Sequence, residues 1–189
     1  MSTATVAIVY HSGYGKTKFM AERVLKGAQS VPGVSVSLIT VDDALKNLDA
    51  LTAADAIVFG CPTYMASMSA KMKELLEAAS KIWYHQKWKD KLAAGFTNSQ
   101  GPSGDKLNTL EGLMLNAMQH GMIWVGTGML PGANNTAGTD LELNRLSSYI
   151  GPMAQSPQGS QQPLEADLST AEHFGKRIAE TTLRWTRGK

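Results

Sequence analysis

Residues 4–17 read ATVAIVYHSGYGKT: a continuous apolar and β-branched run, a turn holding two glycines, and the start of a helical pattern. A run like 4–10, apolar without alternation, is expected of a strand buried on both faces of a sheet. Gly13 and Gly15 open turn conformations closed to other residues. The N–H groups and dipole of a helix starting near Gly15 then make a place for a monophosphate. Ser12 and Thr17 add hydroxyl donors, and Lys16 either adds a charge or faces solvent. Taken alone, the stretch serves equally well as an ordinary strand-to-helix turn. It does not meet the nucleoside triphosphatase template, because Tyr10 stands where the first glycine is required and the loop is too short to wrap a triphosphate.

The rest of the chain narrows the choice. Its 189 residues, 43% apolar and 18% charged, are globular in composition and predict a single domain over 1–189. A net charge of +2 gives no reason to expect a nucleic-acid partner. Cys61 is the sole cysteine, which removes an internal disulfide framework and a cysteine-built metal site. His11, His85 and His173 have no metal-ligand spacing, so no metal is expected. No apolar stretch nears the roughly 20 residues of a membrane span, and the N-terminus reads as a strand rather than a signal peptide. The expectation is a cytoplasmic protein without membrane insertion.

Further strands are predicted at 35–41, 54–61, 91–99 and 121–128. Helices alternate with them: one from Gly15 with Phe19, Val24 and Leu25 inward, and one over 67–81 with a stripe of Met68, Met72, Leu75, Leu76 and Ala79. A third, over 105–120, turns Leu107, Leu110, Met114 and Met118 inward, and a last one follows Pro163. Strands alternating with helices point to an α/β parallel sheet covered on both faces. The stretch 129–163 is too long for an ordinary connection and is read as functional or interfacial.

In such a sheet ligands sit beyond the carboxyl ends of the strands. Three polar segments fall there. Beside the first loop, Pro62, Thr63, Tyr64 and Met65 place a rigid turn and large side chains at the end of a central strand. Thr97, Asn98, Ser99, Gln100 and Gly101 offer amides and short polar groups to the rim of a ring. Each segment also has a plain structural reading, as turn chemistry or a helix cap.

The ordered set YHSGYGKT, FGCPTYMASMSAKMKELLE, IWY, AGFTNSQG, QHGMIWVG and GSQQPLEADLSTAEHFGKRIAE resembles the flavodoxin-like WrbA-type NAD(P)H:quinone oxidoreductases over nearly the whole chain. The resemblance implies a flavodoxin-like three-layer sandwich, a five-stranded sheet of order 2-1-3-4-5, and FMN at its carboxyl edge. It matches Ser12 through Thr17 to the phosphate loop, with Tyr14 also near the nicotinamide. Thr63–Met65 match the loop beside the isoalloxazine, and Thr97–Gly101 match the third flavin loop. His120 matches a histidine near the flavin, while the residues themselves suggest a helix C-cap ending at Gly121. Trp83 matches an aromatic wall of the substrate cavity, often supplied by a neighbouring subunit, and equally suits a lid over a helix end. Tyr64 stands where the family usually has an arginine, and Lys16 where a histidine is common. The segment between strands two and three is shorter than in many such chains, which bears on the family's tetramer.

The implied activity is transfer of reducing equivalents from NAD(P)H to a quinone-like or other small aromatic acceptor by a homodimer or homotetramer. The alternative is a flavodoxin-type electron carrier without nicotinamide-dependent turnover of its own. A binding module that keeps the fold without turnover is a further reading.

Overall fold

A computed structural model describes residues 4–139 and 141–188. Strand β1 (Ala4–Tyr10) lies between β2 (Val34–Thr40) and β3 (Ala56–Tyr64), and β5 (Leu92–Ser99) flanks β3 on its other side, all parallel. The short β6 (Ile123–Trp124) closes the order β2-β1-β3-β5-β6. Counting only these parallel strands, this is the expected 2-1-3-4-5.

Alternate residues of β1 explain the layers. Val6 and Ile8 face one side and pack with Met20, Ala21 and Val24 of α1 (Lys16–Gln29) and Phe174 and Ile178 of α7 (Glu165–Arg187). Ala7 and Val9 face the other side, toward α2 (Val41–Lys46), α3 (Asp49–Thr52), α4 (Ala70–Ala78) and α6 (Lys106–Gln119). Thr5 aside, β1 buries apolar residues on both faces, as its sequence requires.

Helices α1 and α7 meet through glycine. A Cβ on Gly27 would overlap the carbonyl oxygen of Glu172, and one on Gly175 would overlap that of Val24. Backbone therefore lies against backbone at this crossing.

Several expectations are corrected. Val24 is buried as expected, but Phe19 is partly exposed, and α1 buries Met20 and Ala21 in its place. In α6 the inner face carries Leu110 with Thr109, Leu113 and Ala117, while Leu107 and Met118 are exposed. Pro62, Thr63 and Tyr64 belong to β3, and Thr97, Asn98 and Ser99 to β5, so the central strands reach farther into the ligand edge than the turn residues suggested.

The helix expected from Ser67 begins only at Ala70. Before it, β4 (Ser67–Met68) pairs back antiparallel on β3, Thr63 against Met68 and Tyr64 against Ser67. The two turn residues, Met65 and Ala66, both take positive φ, 46° and 66°. This is the backbone of a tight hairpin turn that glycine and asparagine normally occupy. The helix period fails because the chain spends its first residues on this hairpin. Ala66→Gly removes the left-handed penalty and raises stability by about 1 kcal/mol, readable as an upward shift of the urea midpoint at unchanged slope.

The fifth strand position is divided. Only Ile123 and Trp124 pair with the amino end of β5, and the chain then leaves the sheet. It returns as β7 (Met153–Gln155), which pairs in parallel with the carboxyl end of β5, Thr97 through Ser99. The strand expected over 121–128 is thus only the two residues of β6, and β7 completes the edge position from beyond an insertion. Trp124 Nε1 donates to the Ile150 carbonyl at 2.8 Å, tying the two together.

Buried Arg145 and Asp167 pin the insertion to α7. Arg145 Nη2 donates to Oδ2 at 2.9 Å, and Nε lies 2.9 Å from Oδ1, off the hydrogen-bonding direction. Oδ2 also accepts the Gln155 N–H at 2.8 Å, which fixes β7 to the same carboxylate. Burial pushes Asp167 above the usual carboxylate range despite the guanidinium beside it.

Among the described residues no helix is long and apolar enough to cross a membrane, and no cluster of three or more His, Cys, Asp or Glu side chains could hold a metal.

Candidate flavin site

A cavity of about 700 Å³ opens at the carboxyl edge of the sheet. It is walled by Tyr14, Lys16 and Thr17 from the first loop, Pro62–Met65 from β3 and its hairpin, and Asn98–Gln100 from β5. The three stretches singled out in the sequence therefore converge. A fourth wall, Ser156–Ser160, comes from the chain returning after β7. Sequence reasoning marked 129–163 as functional or interfacial without resolving these residues; β7 brings them there.

Gly15 takes φ 80° at the start of α1. That left-handed step turns the chain so that the first-turn N–H groups, which lack a preceding helical turn to bond, end at the cavity. Ser12 Oγ accepts the Lys18 N–H at 3.1 Å and satisfies one of them. Lys16 Nζ crosses to donate to the Ser160 carbonyl. The Ser160 hydroxyl oxygen is itself buried without a hydrogen-bond partner. A helix N-terminus, an ammonium and an unpaired hydroxyl around one space are the donor set for a phosphate.

Gly13 answers to a different constraint. A Cβ there would come within 2.7 Å of the Tyr64 hydroxyl, so the phosphate loop passes directly beneath that ring. Tyr64 in turn meets Tyr14 edge to face at 6.0 Å between centroids. Burial keeps the Tyr64 phenol above its ordinary pKa, hence protonated at neutral pH. Tyr14 is 84% exposed and Met65 98% exposed, leaving the mouth lined by large side chains open to solvent.

The floor is rigid. Thr63 Oγ1 lies 2.8 Å from both Thr97 Oγ1 and Thr109 Oγ1, and Thr97 Oγ1 donates to the Cys61 carbonyl at 2.7 Å. Thr97 is thus a support beneath the cavity rather than part of its wall. On the far side Ser156 Oγ donates to Asn98 Oδ1 at 2.8 Å, and Ser156 N–H to the Ser99 carbonyl at 2.9 Å, holding the fourth wall to β5.

Other candidates fall elsewhere. Ser12, Gly13 and Gly15 line a neighbouring concavity with His11 and Asp42. His11 Nδ1 lies 2.9 Å from Ser69 Oγ, and burial lowers the ring's pKa. Gly101 is not part of the cavity wall; its carbonyl accepts from Ser99 Oγ and Lys106 Nζ. His120 ends α6 and stacks on Trp88, 4.5 Å between centroids. That is the amino edge of the sheet, about 25 Å from the cavity by the length of β5. Trp83, in α5 (Ser80–Tyr84), follows α4 away from the ligand edge as well. Within one chain neither reaches the cavity, because each closes a helix that begins at the ligand edge and runs toward the opposite one.

Cys61 lies under the floor, fully buried, with its thiol pushed up to about 12, mainly by burial. In the unfolded chain the same thiol ionises near 9. Between those values the native state holds the proton that the unfolded state releases, so stability falls as pH rises. The contribution lost at pH 10 is about 1.4 kcal/mol. Cys61→Ala removes that part of the alkaline decline in chemical denaturation curves at pH 8 and pH 10.

A family model described as NADPH-dependent FMN reductase matches residues 6–137. The chain belongs to the NADPH-dependent FMN reductase family. As a member it is a flavin-dependent oxidoreductase that uses FMN with a reduced nicotinamide as donor. It is 38% identical to flavodoxin FldP of Pseudomonas aeruginosa, over 95% of this chain and 96% of that one. It is 30% identical to an NAD(P)H dehydrogenase (quinone) of Archaeoglobus fulgidus, over 94% and 96% of the two chains. Among solved structures, a flavodoxin, WrbA-like protein from Agrobacterium tumefaciens superposes with a TM-score of 0.76 at 40% identity, covering 96% of this chain and 99% of that one. The residues of this FMN reductase family member's cavity fit its cofactor: anion donors at one end, and Tyr64, Met65 and Asn98–Gln100 at the other.

Proposed function

We propose that this cavity holds FMN by its phosphate at the N-terminus of α1 and by its ring between the β3 hairpin and the end of β5, and that the protein passes reducing equivalents from NAD(P)H to a quinone-like or other small aromatic acceptor. The observation that carries this reading is the meeting of the unpaired Ser160 hydroxyl and Lys16 with the α1 terminus, below an open mouth lined by Tyr14, Tyr64 and Met65.

FMN supplies the hydride and electron chemistry when bound. The chain's own residues position and exclude. The first-turn amides, Thr17 and Ser160 take the phosphate. Pro62–Met65 border one edge of the ring and Asn98, Ser99 and Gln100 the other, where their polar groups stabilise negative charge gained on reduction. Tyr14 and Tyr64 provide aromatic surface against which a nicotinamide or flat acceptor stacks. With Tyr64 where the family usually has arginine, recognition there rests on stacking and a phenol donor rather than a fixed charge.

Trp83 enters this reading only through a second copy, and His120, buried against Trp88, does not enter it. A homodimer or homotetramer is supported by the exposed Trp83, Tyr84, Leu115 and Met118 on the α5–α6 side. Sedimentation with and without FMN tests it, and a monomer under both conditions removes Trp83 from the site.

The catalytic test is anaerobic stopped-flow mixing of the FMN-loaded protein with NADPH and with NADH. The expected result is bleaching of the flavin band by at least one donor, followed by recovery on adding a benzoquinone. A flavin that neither donor reduces would overturn this reading and leave the electron carrier in its place.

A further inference from the structure

Lys106 is fully buried, which is unusual for a lysine. It opens α6 directly behind the third ligand segment. All three of its N–H donors are used within that segment: Nζ lies 2.9 Å from Ser99 Oγ, 2.7 Å from the Gly101 carbonyl and 2.9 Å from the Pro102 carbonyl. Ser99 lines the cavity, so the ammonium stands one side chain behind the wall. The segment it holds is otherwise irregular: Gly104 and Asp105 both have positive φ, and a Cβ on Gly104 would overlap Ser99 Oγ.

A cheaper solution for a merely structural loop would be an exposed turn or an apolar side chain, since burying an ammonium is costly unless it is fully bonded. Two charged groups act on Lys106, Asp167 of α7 in its favour and Arg145 of the insertion against it. Burial brings it down to about 8, so it is largely protonated at pH 7. The result is a fixed positive charge facing the end of the cavity assigned above to the ring.

We infer that Lys106 is the positioning residue of the flavin ring's polar border: it locks Ser99–Pro102 in place, and its charge, acting through space from one side chain behind the wall, favours the reduced cofactor over the oxidised one. This rests on FMN occupying the cavity. The ring gains negative charge on reduction, and a cation in a low-dielectric wall interacts with that charge more strongly than it would in water.

The test compares wild type with Lys106→Met and Lys106→Gln in three measurements: FMN affinity by fluorescence titration of the apo-protein, the midpoint potential of bound FMN, and hydrogen exchange of residues 99–104 without cofactor. Lys106→Met is expected to release the apo loop, raising exchange there at least tenfold, and to weaken oxidised FMN several-fold. Lys106→Gln, which keeps a donor without charge, is expected to restore part of the loop protection. Both variants are expected to lose about tenfold in the preference for reduced over oxidised FMN, equivalent to a fall of about 30 mV for a two-electron couple. An unchanged potential in the variants overturns the electrostatic role, and unchanged exchange overturns the positioning role. Should Lys106→Met fail to fold, the glutamine variant's potential decides. Wild-type protein that binds no FMN overturns the cofactor reading itself, and this inference with it.

Discussion

Asp167→Ala is expected to destabilise the apo-protein by about 3–5 kcal/mol, because Arg145 is then left buried without a counter-charge. The carboxylate also accepts the Gln155 N–H, so its removal frees β7 from α7. Since β7 leads directly into Ser156–Ser160, the damage is not confined to stability. The fourth wall of the cavity loses its anchor, and FMN affinity is expected to fall at least tenfold in the protein that remains folded. Asp167→Asn keeps an acceptor for Gln155 and should lose less on both counts. Urea denaturation and fluorescence titration of both variants read the two effects separately. A loss of stability below about 1 kcal/mol in the alanine variant would mean that the pair is not what holds the insertion.

The second large effect lies at the helix crossing. Gly175→Ala inserts a methyl group into the carbonyl oxygen of Val24, a backbone atom that no rotamer change can move aside. Helices α1 and α7 must separate, and much of the packing of Phe174 and Ile178 against β1 loosens with them. The expected cost is about 3 kcal/mol, a fall in melting temperature on the order of 6–12 °C for a chain of this size. Gly27→Ala, on the facing helix, should cost a similar amount. The double variant should cost less than the sum, since the first substitution already opens the gap.

What the sequence made legible, and what it hid, follows from how local each signal is. β1 and the turn after it could be read because an apolar run, two glycines and a helix start lie within fourteen residues of one another. The convergence of the three ligand segments followed from the parallel α/β pattern, since strands of such a sheet end on the same edge. The fourth wall was hidden for the opposite reason. Ser156–Ser160 reach the cavity through a three-residue strand, β7, after an insertion without periodicity, and the pairing partner lies about sixty residues earlier in the chain. The hairpin at Met65–Ala66 was hidden because its turn uses residues that carry no turn signal, at positive φ. Lys106 reads as a solvated helix residue until its burial is seen. His120 and Trp83 could be matched to a family pattern, yet a match says nothing about which copy of the chain supplies a residue. In this fold both lie at the far edge; exposed Trp83 can join a site only through assembly, and His120 is buried within its own chain.

The central claim is that the α1 terminus with Lys16 and Ser160 grips a phosphate while the β3 and β5 ends border a flavin ring. Parallel titration of the apo-protein with FMN and with riboflavin tests it most directly, because the two ligands share the ring and differ in the phosphate. The account predicts one FMN per chain and riboflavin binding weaker by about a hundredfold or more, roughly 2.7 kcal/mol. Equal affinity for the two, or no binding of either, would contradict it.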